Sequence, residues 1–211
     1  TNNVNTVATN LEIIGDLTFF GGSQIRLDRE GTGFAGLGIS NLIRGTSDNR
    51  FGTLTINHNT GLLGANTAAG GVNNTEVVWV TGGGSVPMTN NMVDPWIVSR
   101  NVDQFLKYDS TNGLQLITQG TAPTNYLNLA AGTTTLNGAV VPLNDGTEIL
   151  DLGAASATQT LGADLNIHAL RVARDINVAT NGTANDITIQ SGGLIFLGNN
   201  PTINANLNFN P

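Results

Sequence analysis

The chain has no cysteine and only one lysine, Lys107, in 211 residues. Without thiols it holds no disulfide staples, no thiolate metal site and no cysteine nucleophile. Lys and Arg together number 8 and form no run, so nucleic acid finds no basic footprint. Charged residues make up 11%, against roughly 25% in an ordinary soluble protein. No apolar run approaches the roughly 20 residues of a membrane helix, so membrane insertion of this segment is not expected. The opening "TNNVNTVATN" carries no charged-then-apolar leader, and the chain is expected to be a mature product or a fragment.

Small uncharged residues fill the gap: Gly alone numbers 27, with Asn and Thr comparably abundant. Asn and Gly tolerate positive φ and suit tight turns, while Thr, Val and Ile suit strands. The net charge is −7. Low charge, scarce proline and patterned aliphatics argue against disorder. The composition is one common among bacterial surface and secreted β-proteins.

Apolar and polar residues alternate in short runs, clearest at 11–20, 23–27, 53–57, 76–80, 113–118, 126–129, 148–152, 165–172, 176–178, 187–189, 194–197 and 203–209. Gly-Gly, Asn-Gly, Asp-Gly and Asn-Pro punctuate them. Only 98–108 offers a helical face, through Val98, Val102, Phe105 and Leu106, and it reads equally as strand–turn–strand. In the last third, Leu165/Ile167, Ile187/Ile189 and Leu207/Phe209 recur at about twenty residues. Ile176/Val178 and Leu194/Phe196 fall between them. Two or three short strands per turn of that length are the signature of a β-solenoid. The fold expected is all-β: a right-handed parallel β-helix forming one domain over 1–211. Its part at about 30–125 is irregular and loop-rich, and its part at about 126–211 is regular. The strand-like "NPTINANLNFNP" lacks a capping helix or guarding charges. We therefore expect continuation in a longer chain or end-to-end self-association.

The stretch 92–118, "MVDPWIVSRNVDQFLKYDSTNGLQLIT", is chemically unlike its surroundings. It concentrates a Trp, a Tyr, the lysine and three acids. With the following "YLNLAAGTTTLNGAVVPLN", it resembles a segment of very large bacterial proteins with autotransporter-associated β-strand repeats. There a Trp-containing strand leads through an Asn/Asp turn to aromatic-x-x-Tyr-Asp, then to Asn/Gly and a Leu-led strand. Trp96, Phe105, Tyr108, Asp109, Gly113 and Leu114 occupy those positions. Ile187, Ile189, Ser191, Gly192, Gly193 and Leu194 match the family's following strand–Ser-Gly-Gly–strand turn. The resemblance spans roughly residues 40–211. It departs where Gln104 separates Asp103 from Phe105, a place where the family sets an acid directly before the aromatic. It implies a right-handed parallel β-helix exported to the cell surface, as an adhesin, fibre or scaffold, with no particular chemistry.

Catalytic constellations weigh little against this reading. Asp94, Asp103 and Asp109, with Arg100 and Lys107, could imitate the paired carboxylates of polysaccharide-cleaving β-helices. The Asn-Thr-Asp, Asp-Asp, Gly-His-Gly and Arg-x-Lys runs that accompany such sites are missing. His58 and His168 lie far apart without a Cys or an acid cluster, which is weak metal evidence. "GGSQI" and "GGGSVP" make no nucleophile elbow, and "FAGLGISN" lacks the Lys-Ser/Thr ending of a phosphate loop. Asp145 and Asp186 are turn acids able in principle to hold an isolated calcium, but no cofactor is expected. Asn73 and Asn181 head formal glycosylation sequons. Trp96, Phe105, Tyr108, Asp109 and Gly113 are expected to be core and corner of a scaffold. The functional expectation is a non-enzymatic extracellular or cell-surface fibre, sheath or adhesin stalk, with glycans or cell-surface polymers as further partners. The alternative is a carbohydrate-active or glycan-binding β-helix with its groove near 92–118.

Overall fold

The computed structural model describes residues 9–29, 33–45, 52–58, 62–64, 75–81, 86–117, 119–120, 126–127, 134–136, 144–152, 158–173, 175–178, 186–198 and 200–210. Among them there are strands and turns and no helix. They divide into two compact units. One is made of residues 1–88 and 96–116, the other of 89–95 and 117–211.

In the second unit the chain alternates between two wholly parallel sheets. Gln119–Gly120, Tyr126–Leu127, Ile149–Leu152, Leu165–Val172, Asp186–Phe196 and Asn206–Phe209 follow one another in the larger sheet. Thr135–Leu136, Gln159–Leu161, Ile176–Val178 and Ile203–Asn204 make the smaller. Alternate side chains explain the periodicity. Leu165 and Ile167, then Leu170 and Val172, enter one apolar core with Leu150, Leu161, Ile176, Ile187 and Ile189. A β-bulge between Ile167 and Ala169 resets the alternation by one residue. Opposite it, Ser191 Oγ donates to His168 O at 2.6 Å and accepts from Gly193 N–H at 3.1 Å, with Gly192 at φ +73°. The Ser-Gly-Gly that punctuates the sequence is therefore the bulge of one continuous strand, Asp186–Phe196, and not a break.

In the first unit, three consecutive strands, Thr9–Ile14, Leu17–Phe19 and Gly22–Leu27, each lie parallel to a strand of the next set. Those are Phe34–Ile39, Leu42–Arg44 and Thr53–His58. Thr9 pairs with Phe34 and Leu17 with Leu42. Thr75–Val80 then stacks on Phe34–Ile39, and Ile97–Ser99 on Thr53–His58. Parallel pairing thus runs through a stretch whose turn spacing looks irregular in the sequence. Phe34–Ile39, "FAGLGI", is a strand although it lacks alternation. A Cβ at Gly36 would press into the rings of Phe34 and of Trp79 on the neighbouring strand, and one at Gly38 against the Thr81 methyl and the same Trp79 ring.

The segment with ambiguous periodicity, 98–108, is strand–turn–strand. Ile97–Ser99 pairs antiparallel with Gln104–Asp109, which pairs antiparallel with Gly113–Leu116. Turns use the residues that tolerate left-handed backbone: among the described residues Asn90, Asn91, Asp103, Asn144 and Asn200 are the non-glycines at positive φ.

Candidate functional site

The aromatic-rich segment closes a sheet edge. Thr75–Val80 is covered along one side by Phe34–Ile39, but on the other Leu62–Leu63 reaches only Thr75 and Glu76. Tyr108 Oη takes up the far end of that edge, accepting from Val80 N–H at 3.1 Å and donating to Val80 O at 3.4 Å. Gly113, at φ +72°, lies so close to the Val78 carbonyl that any side chain would strike it. The Val80 N–H and C=O, which the strand edge would otherwise leave unpaired, are met in this way. Phe105 and Leu114 are buried beneath the meander. Trp96 stacks under the Arg44 guanidinium, 3.9 Å from the ring centroid, and Arg44 Nε also donates to Gly52 O at 2.9 Å.

Asp109 organises the turn. Its Oδ1 accepts from Thr111 N–H at 2.9 Å and Asn112 N–H at 2.7 Å. Its Oδ2 accepts from Asn112 Nδ2 at 3.0 Å and Gln115 Nε2 at 2.5 Å. Partial burial pushes its pKa up, but the bonds from Asn112, Gln115 and Thr111 outweigh that and hold it below the ordinary value. A general acid needs the opposite shift. Asp103 sits at φ +45° in the exposed turn between two strands. Asp94 belongs to the other unit. Arg100 is exposed, its backbone N–H donating to Ile56 O at 2.9 Å, and Lys107 is half-buried.

Both histidines are buried. His58 Nε2 lies 3.2 Å from Ser99 Oγ, on neighbouring parallel strands. The pair has the reach of a nucleophile and base, but both side chains are enclosed, with Ser99 only 1% exposed. His168 Nδ1 lies 3.2 Å from Asn90 Nδ2, and burial pushes its pKa down toward the neutral ring. Asp145 accepts from Thr147 Oγ1 at 2.6 Å and from its N–H at 3.0 Å, so its pKa is lowered and it caps its own turn. Asp186 takes amides from Asn206 at 2.8 Å and Asn208 at 3.2 Å. Among the described residues no three His, Asp or Glu gather as a metal site, and no helix is long and apolar enough to cross a membrane. Asn73 and Asn181 lie outside the described residues.

Two features escape a reading of the sequence, and a third, bonding between stacked amide side chains, is what the abundant asparagines of a stacked fold lead one to expect. Glu148 is fully buried, with no hydrogen-bond partner for either carboxylate oxygen among the described residues. Burial raises its pKa. The nearby backbone N–H groups of Glu148, Asn144 and Thr147 favour the anion without reaching bonding geometry, and Asp145 adds repulsion. Asp151 and Arg171, in register on adjacent strands, form an ion pair in which Arg171 Nη1 is 3.0 Å from each carboxylate oxygen. Their side chains are only 4% and 12% exposed. The third feature is an amide ladder. Asn166 N–H donates to Asn144 Oδ1 at 2.6 Å, Gln190 Nε2 to Asn166 Oδ1 at 2.7 Å, and Asn210 Nδ2 to Gln190 Oε1 at 3.0 Å. A second rail runs from Asn204 Nδ2 to Asn177 Oδ1 at 2.6 Å. The signal for these was available in principle: "ILDL" aligned with "ALRV" sets Asp151 against Arg171.

Two grooves are lined by described residues. One of about 480 Å³ is lined by Asn10, Glu12, Arg26 and Asp28 with Leu11 and Gly36. Another of about 510 Å³ lies by Phe196 and Pro201. No family model, curated protein or solved structure matches the chain.

Proposed function

We propose that the chain is a structural module: a right-handed parallel β-helix of the autotransporter-like kind, serving as a fibre, sheath or adhesin stalk outside the cell or on a bacterial surface. The observation that carries this reading is the amide ladder Asn144–Asn166–Gln190–Asn210, which ties the turn before Ile149–Leu152, the strands Leu165–Val172 and Asp186–Phe196, and the residue after Asn206–Phe209 to one another through side-chain amides, beside the backbone bonds of the parallel sheet. Such stacking is the hallmark of solenoids, where each turn contacts its neighbours and the backbone bonds run along the axis. Right-handedness is supported by the near-universal hand of crossovers between parallel strands. Sparse Lys and Arg leave few sites for trypsin-like proteases, which suits an exposed rod.

What tells against the carbohydrate-active alternative is the use to which the 92–118 residues are put. Asp109 is committed to its turn, Tyr108 to the Val80 backbone and Gly113 to the Val78 carbonyl. Negative-stain microscopy of the purified chain tests the proposal. Rods longer than one chain are expected, and a population of discrete single-chain particles refutes end-to-end association. Turnover of an acidic polysaccharide that is lost in Asp103→Asn or Asp109→Asn, without unfolding, refutes the structural reading.

A further inference from the structure

At the tip of the hairpin in the first unit, Asn112 is followed by Gly113. An asparagine before glycine is where a side-chain amide is most open to attack by its own chain, because glycine has no Cβ to shield its nitrogen. The Gly113 nitrogen adds to Asn112 Cγ and gives up its proton to solvent. The N–Cγ bond forms as Cγ–Nδ2 breaks, and the amide leaves as ammonia with a proton drawn back from solvent. Water then opens the five-membered imide at either carbonyl, leaving aspartate, or isoaspartate with an added backbone methylene. Either product carries a new negative charge. The same dipeptide recurs at Asn137–Gly138 and Asn181–Gly182, outside the described residues.

In the closed hairpin both reacting groups are held. Asn112 Nδ2, the leaving group, donates to Asp109 Oδ1 at 3.1 Å and to Oδ2 at 3.0 Å, and Asn112 N–H donates to Oδ1 at 2.7 Å. Gly113, paired across the hairpin with Asp109, stands at φ +72° against the Val78 carbonyl. Swinging Cγ onto the Gly113 nitrogen therefore breaks charge-assisted bonds and moves a packed backbone. The Asp109 carboxylate also opposes the negative charge that builds on the attacking nitrogen. We propose that Asn112 is a modification site with a built-in guard: Asp109 keeps its amide unreactive while the hairpin is closed, and deamidation in an opened hairpin stops it from closing again. A carboxylate at position 112 faces the Asp109 carboxylate where a donor stood, and like charges repel. Isoaspartate lengthens the turn and lifts Gly113 from Val78. Leu114 and its cross-strand partner Tyr108 then shift as well, and the Val80 N–H and C=O lose the hydroxyl that meets them.

The test uses the whole chain, held at mildly alkaline pH and sampled over time by peptide mass mapping. Asn112 is expected to convert at least about tenfold more slowly in the folded chain than in the same chain in urea, because its charge-assisted bonds must open first. Asp109→Asn leaves an acceptor for the turn but removes the charge and one of the two oxygens. It is expected to speed conversion of Asn112 several-fold with an unchanged circular dichroism spectrum. Equal rates in the folded and unfolded chain overturn the guard, and an unchanged rate in folded Asp109→Asn overturns the part assigned to Asp109. Asn112→Asp reproduces the product, and Asn112→Ala loses the amide without adding charge. Hydrogen exchange along Thr75–Val80 is expected to be several-fold faster in Asn112→Asp than in either Asn112→Ala or the unaltered chain, with exchange along Leu165–Val172 the same in all three. Exchange in Asn112→Asp no faster than in the unaltered chain overturns the unlatching, and no excess over Asn112→Ala overturns charge repulsion as its cause.

Discussion

Two ion pairs in this chain have nearly the same length and should differ several-fold in worth. Arg171–Asp151 spans 3.0 Å with side chains 12% and 4% exposed, and Arg26–Asp28 spans 3.1 Å with side chains 63% and 52% exposed. In water the attraction is screened and offset by side-chain entropy, so breaking the exposed pair by Arg26→Met should cost about 0.2–1 kcal/mol. Arg171→Met leaves the Asp151 carboxylate buried without its guanidinium, a loss of about 3–5 kcal/mol. It also removes the cation from above the Tyr126 ring, 5.9 Å from its centroid. The pair as a whole is worth far less than either deletion suggests. Replacing both partners at once, Asp151→Leu with Arg171→Met, should recover most of the loss, because no charge then remains to be solvated. Urea unfolding of the four chains at neutral pH measures this, with hydrogen exchange on Ile149–Leu152 and Leu165–Val172 reporting the local effect. Near-equal losses from Arg171→Met and Arg26→Met would refute the argument that burial decides. A double variant as damaged as the single one would refute the argument from uncompensated charge.

Glu148 gives a pH signature. Its folded pKa lies above the ordinary value of 4.5, so the native state favours the protonated form. Its contribution to stability is fully present below the unfolded pKa and is lost as pH rises through the folded pKa. Glu148→Gln should match the unaltered chain near pH 4 and exceed it at pH 7 by roughly 1–3 kcal/mol. Thermal melts at the two pH values check this, and a gain that is the same at both removes ionisation as its cause. Gly113→Ala adds a methyl group against the Val78 carbonyl at φ +72°. Left-handed backbone alone costs about 1–2 kcal/mol, so the total should be larger and should show as faster amide exchange along Thr75–Val80. Gly198→Ala, with open space around it, is the control and should change stability by well under that amount.

How much of this was legible in the sequence depended on where each partner lay. Leu165–Val172 and Ile176–Val178 show themselves because alternation and the twenty-residue recurrence agree, and each is sufficient to place a strand. Asp186–Phe196 reads as two strands because Gly-Gly is turn chemistry in isolation. Only the His168 carbonyl, 23 residues earlier, turns it into a bulge. The first unit hides its parallel stacking for another reason. The step is 25 residues from Thr9 to Phe34, 31 from Gly22 to Thr53 and 41 from Phe34 to Thr75, so no fixed period survives. In a stacked fold the rungs must align in space, but the loops between them need not match in length, since each doubling of a loop costs only about 0.6 kcal/mol in closure entropy.

The 92–118 segment sharpens the point. Its unusual side chains mark it as special, and the expectation that Trp96, Phe105, Tyr108, Asp109 and Gly113 serve the scaffold can be formed from the sequence alone. What they serve cannot. Tyr108 and Gly113 engage the Val80 and Val78 backbones, and a carbonyl or an N–H leaves no mark in the amino-acid code. A hydroxyl that can both donate and accept is a chemically economical answer to an edge residue with N–H and C=O exposed, because one side chain meets both. Phenylalanine at 108 would fill the same space and leave both Val80 groups unmet. A residue chosen for catalysis and one chosen for closing an edge therefore look the same until the strand they meet is known.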